Sequence, residues 1–244
     1  MRLTNKEIEM PCSIEVKNLS KSFGNICAVD DVTFSVYPSQ IIALLGPNGA
    51  GKSTLINMIA GFLSQNSGKI EIFGKNNEEY PIETKKEIGF LPEGAPLYTD
   101  MSVESFLKYI AELKSLSKDE VKRVMSLANI EQVAKQRIET LSKGYKRRVG
   151  FAVSILGNPP ILLLDEPTDG LDPNQKEHML GLIKDMSKDK TIIISTHLLD
   201  EAQSIANRIM IMNKGKVKID GDLDAITKQT RTTSLENAFI KLTR

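Results

Sequence analysis

Two kinds of apolar stretch recur along the chain. In the first, apolar and polar residues take turns. Ile14 and Val16 alternate with Glu15 and Lys17, Val32, Phe34 and Val36 repeat the pattern, and Ile70 and Ile72 follow the turn residues Ser67-Gly68. A period of two sends one face of a strand to a core and the other to water, so these segments are predicted as half-exposed antiparallel strands. In the second kind, residues 41–45, 161–164 and 192–194, every position is apolar. Such runs fit strands of a parallel sheet covered on both sides. An antiparallel lobe combined with a parallel α/β core is the expectation.

Elsewhere the period is helical. Leu55, Met58, Ile59 and Phe62 recur at that spacing. Ser102 is a candidate N-cap for a helix with Val103, Phe106, Leu107, Ile110 and Leu113 on one face. Further helices are predicted over 118–127 and 130–136, and another from near Ser142 with Tyr145, Val149, Ala152, Val153 and Leu156. Residues 100–157 hold no convincing strand, which reads as a helical subdomain inserted between core strands. Asp172-Pro173, a cap followed by proline, opens a helix with Met179, Leu182, Ile183 and Met186 facing inward. A strand pair is expected near 208–212 and 216–220. Thr233-Ser234-Leu235-Glu236 reads as a capping box before a last helix, and residues 1–12 as a loose leader.

Between the 41–45 strand and the next helix stands Gly46-Pro47-Asn48-Gly49-Ala50-Gly51-Lys52-Ser53-Thr54. Glycines at this spacing let successive N–H groups point into one concavity at a helix start, where phosphate oxygens bind. In such a loop Lys52 reaches the β- and γ-phosphates and the Ser53 hydroxyl ligates Mg²⁺. The fold class expected is thus α/β, a P-loop NTPase core with a mixed parallel sheet, an antiparallel β lobe and an inserted helical subdomain. Residues 13–244 are read as one nucleotide-binding domain, its helical part near 95–157.

The totals narrow the field. With 244 residues, 41% hydrophobic and 26% charged, the composition is that of an ordinary globular protein. A net charge of +1 gives no reason to expect nucleic acid. Cys12 and Cys27 lack metal-ligand spacing and read as reduced thiols in a cytosolic protein. No apolar run approaches the roughly 18 residues of a membrane span, so any membrane role comes through a partner.

Three further stretches carry chemistry. Residues 161–166 form an apolar strand ending in Asp165-Glu166. An aspartate there organises Mg²⁺, usually through water, and the adjoining glutamate can polarise an attacking water; alternatively both acids cap a turn before Pro167. His197 follows another apolar strand, and taken alone a lone histidine is more often structural. His178 sits among charged residues and reads as solvated. Leu141-Ser142-Lys143-Gly144-Tyr145 opens a helix whose start could bind an anion, with Lys143, Lys146, Arg147 and Arg148 making it basic. An ordinary capped helix with a solvated basic face fits equally well.

Phosphate loop, helical insert, serine-glycine helix start, Asp-Glu strand end and a histidine after the next strand, in that order over residues 13–242, resemble the ATP-binding cassette (ABC) ATPases. The resemblance implies roles residue by residue. Phe23 stacks on adenine. Gly46, Pro47, Asn48, Gly49, Ala50, Gly51, Lys52, Ser53 and Thr54 bind the phosphates. Glu93 stands in the Q-loop, where the family usually has glutamine, and joins Ser53 and Asp165 around Mg²⁺. Ser142 and Gly144 belong to the signature motif. Glu166 is the catalytic glutamate, assisted by Lys52 and the switch histidine His197, and residues 169–172 are the D-loop. Two departures stand out: the carboxylate at Glu93, and a signature reading Leu-Ser-Lys-Gly-Tyr, whose Lys143 either adds a cation near a partner's γ-phosphate or points to solvent. Both look like exporter-type bacterial cassettes.

The resemblance further implies ATP and Mg²⁺ as cofactors, a head-to-tail dimer, here a homodimer, and ATP hydrolysis. It implies transport, in the export direction, through a separate integral-membrane subunit docked after Glu93, near Leu97, Tyr98 and the helix from Ser102. The place would be cytoplasmic, on the inner face of the membrane. The competing class is a soluble ABC ATPase acting on ribosomes or DNA. A single cassette, no long coiled-coil insert and near-neutral charge argue against it.

Overall fold

The computed structural model describes residues 12–244, so the leader expected over 1–12 lies, except for Cys12, outside the described residues. Strands β1 (Ile14–Phe23) and β2 (Ile26–Val36) form a long antiparallel hairpin. Then come β3 (Ile41–Leu45), α1 (Lys52–Ile59), β4 (Ser67–Ile72), β5 (Lys75–Asn76), α2 (Pro81–Lys86) and β6 (Ile88–Leu91). Helices α3 (Val103–Leu113), α4 (Lys118–Leu127) and α5 (Lys143–Ser154) follow without an intervening strand. The remainder is β7 (Ile161–Asp165), α6 (Pro173–Met186), β8 (Thr191–Thr196), α7 (Leu199–Ile205), β9 (Arg208–Asn213), β10 (Lys216–Gly221), α8 (Leu223–Thr230) and α9 (Leu235–Thr243).

Two sheets result. One is antiparallel, in the order β2-β1-β4-β5; the other runs β10-β9-β3-β8-β7-β6 and is parallel except for the β9–β10 hairpin. The uniformly apolar runs are explained by the alternation of side chains across a sheet. Ile41, Ala43 and Leu45 face the core shared with α3–α7, whereas Ile42 and Leu44 face the core shared with α1 and the antiparallel sheet. Leu162 and Leu164 against Leu163, and Ile192 and Ile194 against Ile193, divide the same way. With both faces buried, no position on these strands is left for a polar residue until the strands end, at the edge where the loops meet.

The β1–β2 hairpin is longer than the alternation suggested, because bulges break the period. Asn18 and Asp31 adopt left-handed backbone, with φ of 47° and 51°, and the Asn18 amide donates to Asp31 at 3.0 Å. The helix expected over 130–136 is not one: only a turn of 3₁₀ helix at Glu131–Val133 forms. The chain then turns through 134–136, and the Ala134 and Gln136 carbonyls accept from the Glu104 and Val103 N–H groups, serving the open start of α3. Phe62 lies beyond α1, 70% exposed, against Phe90. Leu113 points outward from α3, and Ala111 takes the inner position. The last helix is capped by Ser234 accepting from Asn237, one residue later than a Thr233–Glu236 box requires. β6, α2, α7 and α8 had no counterpart in the pattern; β6 is only four residues long and includes Gly89, whose backbone meets α5 so closely that a Cβ would lie 2.0 Å from the Ser154 carbonyl.

Candidate nucleotide site

The site is built where β3 gives way to α1. The helix begins with no side-chain cap and no acidic residue in its first turn, which leaves its N–H groups open to an anion. Gly51 holds φ at +104°, and a Cβ there would lie 2.2 Å from the Ala28 carbonyl, so only glycine fits. The loop is stitched to the β9–β10 turn by Gly215 N–H donating to Ala50. Lys52, 6% exposed, folds back so that Nζ donates to the carbonyls of Gly46 at 2.7 Å and Pro47 at 3.3 Å. An ammonium has three protons, so one remains for a phosphate oxygen. Burial pushes the Lys52 ammonium below the usual lysine value, against the pull of Glu166, Asp165 and Glu93.

The loop forms one wall of a cavity of about 630 Å³ that also gathers Phe23, Glu93, Glu166, Asp169 and His197. Asn48, Gly49, Ala50, Gly51, Ser53 and Thr54 line it as well, together with three residues the sequence pattern did not single out, Ile26, Cys27 and Ala28 on β2. Gly46 and Pro47 serve Lys52 from below. Asp165, 1% exposed, sits behind the wall with one carboxylate oxygen bonded by the Ser195 hydroxyl.

Glu166 stands at φ +52°, a conformation that costs roughly 1–3 kcal/mol and persists only where the surroundings enforce it. They do: its N–H donates to both the carbonyl and the hydroxyl of Ser195, at 3.2 and 3.1 Å. The twist presents the carboxylate to His197, whose Nδ1 lies 2.9 Å from Oε2. Burial pushes the Glu166 carboxyl above its usual range, and the bond from His197 opposes this. The result is a carboxylate more basic than a solvated one, held by a histidine, in the same cavity as the lysine.

Ser53 and Glu93 line the cavity with Asp165 behind them, an all-oxygen donor set suited to a hard cation such as Mg²⁺. Among the described residues no cluster of three His, Cys, Asp or Glu forms a metal cage. A cation here would therefore keep waters and phosphate oxygens among its ligands, which is the habit of Mg²⁺ rather than of zinc.

Ser142 and Gly144 do not join this cavity. The Ser142 hydroxyl caps α5 by accepting from Tyr145 N–H. Gly144 packs under the 169–172 loop, where a Cβ would meet the Gly170 carbonyl at 3.0 Å. Lys143 is exposed to solvent, and its ammonium forms an ion pair with Asp169 of its own chain at 2.8 Å. The solvated basic face is likewise only partly seen, since Arg147 and Arg148 are buried. Arg147 donates to the carbonyls of Pro92 at 2.6 Å, Glu93 at 2.9 Å and Asp165, joining α5 to both loops that flank the cavity. His178 is exposed.

Fold and cavity together define a P-loop nucleotide-binding domain, and comparison with known proteins narrows the class. The family model described as ABC transporter matches residues 29–169. The ABC transporter ATP-binding protein YxlF of Bacillus subtilis (strain 168) is 33% identical over 223 residues, spanning 90% of this chain and 74% of that protein. The linearmycin resistance ATP-binding protein LnrL of the same organism is 32% identical over 209 residues, spanning 84% and 67%. A solved structure of the ATP binding subunit of an ABC transporter matches with a TM-score of 0.87 at 32% identity, over 95% of this chain and 99% of that one. The chain belongs to the ABC transporter family, as an ATP-binding ATPase cassette.

Proposed function

We propose that this cassette hydrolyses Mg-ATP in the cavity beside Lys52 and so drives export through a separate integral-membrane subunit, working as a homodimer on the cytoplasmic face of the membrane. The observation that carries the chemistry is the convergence of the uncapped helix start, buried Lys52 and the Glu166–His197 pair on one cavity. Phe23 offers a face for adenine. The loop from Gly46 to Thr54 and the α1 N–H groups hold the phosphates, with the free proton of Lys52 on the β- and γ-oxygens. Ser53, Glu93 and Asp165 are the residues that would hold Mg²⁺, Asp165 through water. Bound there, Mg²⁺ would supply positive charge against the phosphate oxygens. Glu166, made more basic by burial, accepts a proton from the attacking water, and His197 orients it through Nδ1.

Ser142 and Gly144 lie outside the cavity that holds Lys52, which supports a head-to-tail pairing in which they serve a second copy. For docking, a groove of about 510 Å³ runs between the end of α1, β6 and the segment after Glu93, lined by Phe62, Phe90, Pro96, Leu97 and Val153. Exposed Phe62 at its rim is suited to an apolar segment of a membrane partner. No helix among the described residues is long and apolar enough to cross a membrane. Export follows from the resemblance to exporter-type cassettes and from LnrL, whose name records resistance to linearmycin. Nothing in the site or the relatives favours ribosomes or DNA.

The test is Glu166→Gln with saturating Mg-ATP. A stable dimer by light scattering with turnover abolished is expected; a monomer turning over at the parent rate refutes the assignment. A pull-down from detergent-solubilised cells should bring a polytopic membrane protein in stoichiometric amount, and ribosomal or DNA-repair proteins in its place would overturn the transport reading.

A further inference from the structure

Glu201, on α7, is a carboxylate with a fully buried side chain that the chemistry above does not use. Its two oxygens point in different directions. Oε1 accepts from the Thr168 hydroxyl at 2.6 Å, and Oε2 accepts from the Thr196 hydroxyl at 2.6 Å. Lys176 on α6 adds a cation 3.0 Å from Oε1. Thr168 is two residues beyond Glu166, in the loop that carries the twisted backbone. Thr196 is the residue before His197, and its hydroxyl also accepts from the Leu198 N–H at 3.1 Å. Thr168 and Thr196 are themselves buried, so water does not satisfy their hydroxyls in place of the carboxylate.

A buried carboxylate is costly unless it is paired and its lone pairs are filled. Here both oxygens are bound by hydroxyls of the two loops that bring Glu166 and His197 to 2.9 Å. Ser195 fastens the same loops on the strand side, through Asp165 and the Glu166 N–H. Glu201 fastens them on the helix side, where no backbone hydrogen bond between 167–169 and 196–198 joins them.

We infer that Glu201 is a positioning residue: it ties the Glu166 loop to the His197 loop through Thr168 and Thr196, and so sets the acid–histidine pair in register for hydrolysis. This rests on the reading that Glu166 and His197 act on the γ-phosphate. A displacement of the order of 1 Å in such a pair costs on the order of a hundredfold in rate.

The experiment measures kcat and, separately, equilibrium ATP affinity for Thr168→Val, Thr196→Val and the double variant, with Glu166→Gln and His197→Ala as references. Each valine keeps the shape and removes one hydroxyl. The expected result is a kcat lowered roughly 10–100-fold in either single variant, with ATP affinity unchanged. The double variant should be about as slow as the slower single one, because cutting either arm already breaks the same link. Thr168→Ser and Thr196→Ser, which restore the hydroxyl, should recover the parent rate. Should a valine variant not fold, the serine and alanine variants at that position give the same comparison. Parent-like kcat in the valine variants, multiplicative losses in the double, or serine variants as slow as valine would each overturn the inference. If Glu166→Gln and His197→Ala also turn over normally, it is the assignment of the pair that fails.

Discussion

Replacing Arg147 with Met removes the group that holds the cavity's two flanking loops to α5 while keeping most of its apolar stem. Arg147 is 5% exposed and donates to the carbonyls of Pro92, Glu93 and Asp165. The bond to Asp165 is buried, so its carbonyl is left without a partner, at roughly 1–3 kcal/mol. The other two carbonyls are partly buried and can recover water, so their loss is closer to 0.5–1.5 kcal/mol each, by about the net value of an ordinary hydrogen bond. Against this stands relief. Burial pushes the guanidinium below its usual value in spite of the surrounding carboxylates, and its Nε is buried without an acceptor. The net expectation is a loss of roughly 2–4 kcal/mol, or a Tm lower by about 5–15 °C for a chain this size. Calorimetry without nucleotide checks it. A Tm within about 2 °C of the parent would refute the reasoning, for it would mean that an apolar side chain serves this position as well as the buried cation does.

Other perturbations read other parts of the site. Lys52→Ala should weaken nucleotide binding, seen by titration, and unchanged affinity would remove the lysine from the phosphate site. Lys143→Ala breaks an exposed ion pair, so stability should change by less than about 1 kcal/mol in urea unfolding; a larger loss would show that the pair with Asp169 does more than surface pairs do. Glu166→Gln should stabilise the fold at neutral pH. The native Glu166 carboxyl lies above its unfolded value because of burial, so protonation favours the folded state, and that stability is lost as pH rises through the native value. The Tm advantage of the glutamine variant should therefore be largest at pH 7–8 and vanish below the ordinary carboxylate range near pH 4, about the unfolded glutamate value; the opposite slope would show that the bond from His197 outweighs burial.

What could be read from the sequence was what is contiguous or periodic. The phosphate loop is a run of nine residues between a strand and a helix, and Asp165-Glu166 is marked by the apolar strand before it. Ile26, Cys27 and Ala28 carry no such mark. They belong to a strand whose alternation is broken by bulges, and they reach the cavity only because the hairpin folds over the loop, against Gly51. The fate of Lys143 was equally hidden, since its partner Asp169 lies 26 residues away on a turn.

Arg147 is the instructive case, because a periodic signal for it did exist. Lys143, Lys146, Arg147 and Arg148 look alike as a run of cations. On a helix, however, Gly144, Arg147, Arg148 and Phe151 share one face, at spacings of three and four, and all four are buried. A face holding glycine and phenylalanine turns toward the core, so the two arginines between them must be buried too, and a buried guanidinium must find oxygens. Arg148 finds the carbonyl of Asn129 within the helical part, and its guanidinium stacks on Tyr145. Arg147 faces the parallel sheet, where the carbonyls still open are those at the ends of β6 and β7, and these belong to the loops that carry Glu93 and Glu166. One cation on the inner face of α5 thus connects the helix that opens with Ser142 and Gly144 to the acids of the nucleotide cavity in the same chain.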